Sequence, residues 1–290
     1  MKEDTWHLPE TIESIPQSKY GVTLDGMLGD RDTNSFLMPP TQHYAFESED
    51  IWGVADYALR RKFYGELTLE RISLPYMSSI GEQGMSECFF DCPALSSVDF
   101  SGLTSIGLSG LHYAFANSQS ITTVDFSSLR EISSYGMYRA FASSTSLTSI
   151  DLEQLTSLGT YGLSYTFYGC TSLQSVCLSS LTSIPAQSLY SAFQNCTSLK
   201  TVHLTKLSNA AGTLQNALTN AFNGCTSLEL VDFSQATAVP TLANINAFGN
   251  TNSTYKIVVP DALYDTWIAT ARWSDTSIKP HIVKASEYQP

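Results

Sequence analysis

Positive charge is scarce in this chain: 15 lysines and arginines stand against 27 aspartates and glutamates, a formal net charge of −12 over 290 residues. Nucleic acid is excluded as a partner, because neutralising phosphates needs concentrated Lys and Arg. No polybasic cluster exists to hold an anionic membrane surface. No apolar run approaches the roughly 20 residues of a membrane span, so membrane insertion is not expected. The stretch from Met1 to Pro16 is polar and acidic, without a basic segment leading into an apolar one, and does not read as a secretory signal. Catalytic templates are missing as well. There is no Gly-x-Ser-x-Gly, no Gly-rich phosphate loop, no His-Glu-x-x-His and no EF-hand loop. The five histidines (His7, His43, His112, His203, His281) are scattered. The chain reads as a non-enzyme with no cofactor.

What is present is a repeat. Phe-Tyr-Gly-Cys-Thr-Ser-Leu at Phe167 to Leu173 returns as Phe193 to Leu199 and Phe222 to Leu228, with looser copies starting at Phe89, Phe115 and Phe141. The spacing is 26 residues, except for 29 between Phe193 and Phe222, which puts a three-residue insertion within Ser208 to Ala217. After each Leu, apolar residues follow at three and five positions on: Val98/Phe100, Val124/Phe126, Ile150/Leu152, Val176/Leu178, Val202/Leu204 and Val231/Phe233. Two inward residues flanking one outward residue describe a short half-buried strand. A further apolar pair follows (Leu103/Ile106, Leu129/Ile132, Leu155/Leu158, Leu181/Ile184), then apolar residues four apart such as Met137 and Phe141. That last spacing fits one or two helical turns on the opposite wall. One repeat buries too little to offset the entropy of ordering its 26 residues, so neighbours must share walls, as in a solenoid.

The pattern Ala-Phe-x-x-Cys-x-Ser-Leu-x-x-Val-x-Phe/Leu, followed by Leu-Thr-Ser-Ile, resembles the BspA-like leucine-rich repeats over about residues 63 to 259. The end of the chain, with Ile257 to Trp267, Trp273 and Ile282 to Tyr288, resembles the closing segment of such proteins, including versions in gut-bacterial surface proteins and in phage and prophage products. The resemblance implies an α/β repeat solenoid: a right-handed leucine-rich-repeat superhelix with a parallel β-sheet face and capping helices. It also implies adhesion without catalysis, with a protein or glycan on a cell surface as partner. The implied location is extracellular, at a cell surface or on a virion. The alternative is a phage virion or tail-associated structural or host-recognition protein.

Four segments are expected. Residues 1–47, with Trp6, Tyr20, Phe36, Tyr44 and paired prolines, read as an irregular arm that packs along the solenoid or makes an assembly contact. Residues 48–62 read as an N-terminal capping helix with Ser48 as N-cap and Arg60, Arg61 and Lys62 at its end. Residues 63–259 form the solenoid. Residues 260–290 form the C-terminal cap, with a helix from Pro260 to Arg272 and Tyr264, Trp267 and Trp273 covering the last strand.

Cys92, Cys170, Cys196 and Cys225 share one column with Ser118 and Ser144, and Cys88 stands in an alanine column. Exchange with Ser argues for structural thiols rather than disulfides or zinc. The outward strand column holds Asp99, Asp125, Asp151, Cys177, His203 and Asp232, beside a second column of Thr123, Ser149, Ser175 and Thr201. Parallel neighbours lie about 4.8 Å apart, so the acids form a row suited to a cation, to basic partner residues or to sugar hydroxyls. Mutual repulsion of about 1 kcal/mol in bulk-like dielectric also permits a merely solvated stripe. Asp151, Cys177 and His203 lie in a straight row that converges poorly on one ion, so no metal is expected. The expected ligand face is therefore Asp99, Asp125, Asp151, Asp232, His203, Thr123, Ser149, Ser175 and Thr201. Tyr113, Tyr135, Tyr138, Tyr161, Tyr165 and Tyr190 precede the repeat phenylalanines and are a second set of recognition candidates where exposed.

Overall fold

The computed structural model describes residues 5–7, 27–28, 45–47, 51–208, 216–242 and 245–289. Its frame is a parallel solenoid in which the repeat coils each add one strand to a front sheet, the earlier coils also add two residues each to a second sheet, and a run of turns in each repeat coil forms a third wall. The 11-stranded front sheet includes Ser97–Asp99, Thr123–Asp125, Ser149–Ile150, Ser175–Cys177, Thr201–His203 and Leu230–Asp232. Val98 pairs with Val124, Ile150 with Val176, and Val202 with Val231, so the inward column read from the sequence is in register. These residues are buried, as are Phe100, Phe126, Leu152, Leu178, Leu204 and Phe233 beneath them.

The core is built on an aromatic stack. Phe63, Phe89, Phe115, Phe141, Phe167, Phe193, Phe222 and Phe248 follow one another with ring centroids 5.0 to 6.0 Å apart. Beside it runs the cysteine column. Each thiol donates to the carbonyl of a phenylalanine in the preceding coil: Cys92 to Phe63, Cys170 to Phe141, Cys196 to Phe167 and Cys225 to Phe193, at 2.9 to 3.1 Å. Ser118 and Ser144 make the same bond to Phe89 and Phe115. Cys and Ser exchange here because both are small donors. Burial pushes the Cys92 and Cys225 thiols up to about 12, so they stay protonated as that role requires. All six cysteines are free.

The third wall corrects the helical expectation. From Ser109 to Asn117 the odd-numbered N–H groups of Leu111, Tyr113 and Phe115 donate to Gly136, Tyr138 and Ala140 of the next coil. The even ones of His112, Ala114 and Ala116 close turns to carbonyls three residues back. Ser109, Tyr113 and Asn117 take left-handed φ values of 54°, 54° and 63°, one residue in every four. Turns of period four place apolar residues four apart, as a helix does, and the sequence pattern cannot separate them. Within the repeats the described residues contain no α-helix.

The 48–62 capping helix is likewise absent from the described residues 51–62. Gly53–Val54 is a strand of the second sheet, pairing with Ser79–Ile80. Tyr57 and Arg61 are left-handed, and the N–H groups of Tyr57, Leu59 and Arg61 bond to Glu82, Gly84 and Ser86 of the next coil. The segment is itself a coil of the solenoid. The ladder also begins before residue 63, since Ala45–Glu47 pairs with Arg71–Ser73, Thr5–His7 with Ala45–Glu47, and Met27–Leu28 with Gly53–Val54. These three strands fall within the stretch expected to be an irregular arm. The rest of that arm, Ser48, and residues 209–215 of the insertion lie outside the described residues.

At the other end the expected helix is shorter. A 3-10 turn at Asp261–Leu263 leads into an α-helix at Tyr264–Ala269, which stops at Thr270 instead of reaching Arg272. Asp261 does not cap it; its carboxylate accepts the Ser286 N–H at 3.0 Å. Trp267 and Trp273 are fully buried against Phe233. After Leu230–Asp232, Lys256–Val259 and Ile282–Lys284 extend the front sheet by two parallel strands.

Candidate functional site

The outward side of the front sheet carries the predicted face. Asp99 pairs with Asp125, Cys177 with His203, and His203 with Asp232 in parallel register. The acids have a local task that the sequence reading missed. Each accepts the backbone N–H two residues on: Asp99 from Ser101, Asp125 from Ser127, Asp151 from Glu153 and Asp232 from Ser234, at 2.8 to 3.0 Å. Aspartate at a strand end turns the chain this way because its short side chain mimics a backbone acceptor. One carboxylate oxygen is thereby committed in each. The second oxygen of Asp99 accepts from Ser73 at 3.2 Å, and that of Asp232 meets His203. The exposed Asp125 and Asp151 have no second partner among the described residues.

A shallow concavity of about 870 Å³ lies along this face. It takes in Asp99, Asp125, Asp151, Thr123, Ser149 and Ser175, bringing six of the expected residues together. Thr201, His203 and Asp232 sit on the next two strands, outside its lining. Ser127 and Glu153, outward residues that flank the acid column in the sequence, line one side, and Arg71 and Ser73, which were not foreseen, line one rim. Arg71 could have been found by extending the Thr123 column back through Ser97.

His203 and Asp232 form a pair, Nδ1 to Oδ2 at 3.2 Å. The bond to Asp232 raises the His203 pKa, against the opposing effect of burial. Burial pushes Asp232 up, but the bonds from His203 and Ser234 outweigh it and hold the carboxyl below its ordinary value. Cys177 lies beside them, half-buried, with its thiol 3.3 Å from the Ser179 hydroxyl. Among the described residues no three His, Cys, Asp or Glu side chains are grouped to hold a metal ion, and no helix is long and apolar enough to cross a membrane.

The tyrosines gather on the turn wall. Tyr135 stacks on Tyr161 at 4.7 Å and His112 on Tyr138 at 5.3 Å, while Tyr113, Tyr138, Tyr165 and Tyr190 follow one another at 5.3 to 5.9 Å. Arg139 lies among them, its guanidinium carbon 4.6 Å from the Tyr165 ring centre and 5.5 and 5.8 Å from those of Tyr113 and Tyr138.

A family model described as "BspA type Leucine rich repeat region (6 copies)" matches residues 59–166, 82–210 and 139–267. Among curated proteins none matches. Similar solved structures include a leucine-rich repeat protein from T. pallidum (21% identity, TM-score 0.39, covering 75% of this chain and 87% of that one). Another is a leucine rich cell surface protein from Faecalibacterium prausnitzii (16%, TM-score 0.33, 81% and 82%). A third is an internalin from Listeria monocytogenes (14%, TM-score 0.29, 69% and 58%).

Proposed function

Since the chain belongs to the BspA-type leucine-rich repeat family, we propose that it is a non-catalytic recognition protein whose front sheet binds a protein or glycan of a cell surface or the extracellular space. Leucine-rich repeat proteins generally serve as binding scaffolds, and those of this family are often surface-associated, which supports an extracellular or cell-surface setting. The observation that carries the reading is the concavity spanning adjacent strands, floored by outward Ser and Thr and lined by acids with oxygens still open at Asp125 and Asp151. Such a surface accepts hydrogen bonds from ammonium, guanidinium or sugar hydroxyl groups laid across the strands. Thr201, His203 and Asp232 would extend it for a longer ligand.

Asparagine keeps the turn-closing acceptor and removes the charge, so the triple change Asp99→Asn, Asp125→Asn, Asp151→Asn isolates recognition from folding. Screening the labelled protein against surface glycans and extracellular-matrix proteins should yield binders that the triple variant holds at least about tenfold more weakly, roughly 1.4 kcal/mol. Binders whose affinity is unchanged in the folded triple variant would remove the front sheet from the role.

A further inference from the structure

The acids of this protein are segregated. The four turn-wall stretches 107–120, 133–146, 159–172 and 185–198 contain no Asp or Glu, and Arg139 is their one Lys or Arg. No carboxylate lies within ion-pairing distance of Arg139 among the described residues, and its buried Nε has no hydrogen-bond partner. An unneutralised guanidinium amid four acid-free turn-wall coils, in a protein of net charge −12, is a local positive site.

The chemistry around it fits an anion. The faces of Tyr113, Tyr138 and Tyr165 are engaged by Arg139 and by one another. Edge and tilted contacts take part of the ring rims too, so what a ligand meets on these half-buried rings is chiefly their phenolic ends. Burial raises the Tyr138 pKa, and burial together with a hydrogen bond to Tyr165 raises that of Tyr190, so these hydroxyls stay protonated at neutral pH. The tyrosines recur once per coil, with ring centroids 5.8 Å apart from Tyr138 to Tyr165 and 5.3 Å from Tyr165 to Tyr190, near the length of one pyranose in a glycan chain. An extended peptide advances about 3.3 Å per residue and falls out of step.

We propose that the turn wall centred on Arg139 binds a linear acidic polysaccharide, one sugar per coil, with a carboxylate or sulfate on the guanidinium and the sugar hydroxyls on Tyr138, Tyr165 and Tyr190. The site is separate from the front sheet and does not depend on that reading.

Titration of the full chain with dextran sulfate, hyaluronan, uncharged dextran and poly-glutamate tests this. Dextran sulfate, hyaluronan or both should bind, weakening with salt, while dextran and poly-glutamate bind at least tenfold more weakly. Arg139→Gln should lose at least tenfold. Tyr138→Phe with Tyr165→Phe, which keeps both rings in place, should lose about threefold. The front-sheet triple Asn variant should bind the charged polymers undiminished. No binding to either charged polysaccharide, equal binding by folded Arg139→Gln, or equal binding of poly-glutamate would overturn the proposal. So would self-association of the wild type that Arg139→Gln abolishes, since the wall would then be filled by a second copy's acidic face.

Discussion

The two sheets run side by side through the first coils and then part. The second sheet pairs Gly53–Val54, Ser79–Ile80, Ser105–Ile106, Glu131–Ile132 and Ser157–Leu158, and has no strand after that among the described residues. The front sheet continues through Ile282–Lys284. The difference traces to one backbone group per coil. The N–H groups of Gly81, Gly107, Ser133 and Gly159 each donate to the carbonyl one residue earlier in the preceding coil's register: Val54, Ile80, Ile106 and Ile132, at 2.7 to 2.9 Å. The next residue in that column is Pro185, which has no N–H to give. A two-residue strand cannot lose a rung and persist, whereas the front sheet has a longer ladder and no proline in its register. In the later coils, then, cohesion rests on the front sheet, the turn wall and the phenylalanine stack.

The largest expected effect lies in that stack. Phe167→Ala, at the coil beside the point where the second sheet ends, removes a fully buried ring between Phe141 and Phe193 and should cost about 3–5 kcal/mol in denaturant melts. A cost under about 1 kcal/mol would mean that the stack is not what binds the later coils. Next comes the thiol column. Cys196→Ala removes one of the two donors to the Phe167 carbonyl, which keeps the Cys170 N–H, and should cost about 1 kcal/mol, whereas Cys196→Ser keeps the bond and should cost distinctly less. Equal costs for Ala and Ser would show that volume, not donation, governs the column.

Smaller still is the His203–Asp232 pair, in the part of the front sheet that continues without its companion. His203 is raised above its ordinary 6.5, so its contribution is complete below that value and is lost as pH rises through the folded pKa. Asp232 is lowered from 3.8, so its contribution is present above that value and is lost as pH falls through the folded pKa. The pair should therefore stabilise most between 3.8 and 6.5. With the His203 side chain 36% exposed, the effect is screened to about 1 kcal/mol or less. Thermal melts of His203→Gln should lack the decline that the wild type shows above that window. An identical pH profile in both proteins would remove the pair from the account. The smallest net effect is expected of Pro185→Gly. The added unfolded-state entropy and the regained hydrogen bond nearly cancel, within about 1 kcal/mol. Hydrogen exchange should nonetheless reveal a newly protected amide at position 185, and fast exchange there would refute the one-rung explanation.

The front sheet was legible because alternation of period two has one structural meaning when it recurs in register, as from Val98 to Val231. The second sheet was hidden because a strand of two residues leaves only one inward side chain, Ile106 or Ile132, and no alternation to read. The turn wall was misread because Met137 and Phe141 stand four apart in a helix and in linked four-residue turns alike. The left-handed residues that distinguish the two, Tyr113 and Arg139 among them, are not glycines and carry no signal in the sequence. The same ambiguity at Ile51 to Leu59 produced the expected capping helix. In the site, the acid column was visible, but its turn-closing bonds were not, because they depend on where each strand ends.

Front-sheet recognition is tested most directly by paired binding titrations. One partner from the glycan and matrix-protein screen is titrated against wild type, the triple Asn variant at Asp99, Asp125 and Asp151, and Arg139→Gln, each first shown to melt cooperatively. The account predicts at least tenfold weaker binding by the triple variant and unchanged binding by Arg139→Gln. Wild-type affinity in the triple variant, with loss in Arg139→Gln, would contradict front-sheet recognition and leave the turn wall as the recognition surface.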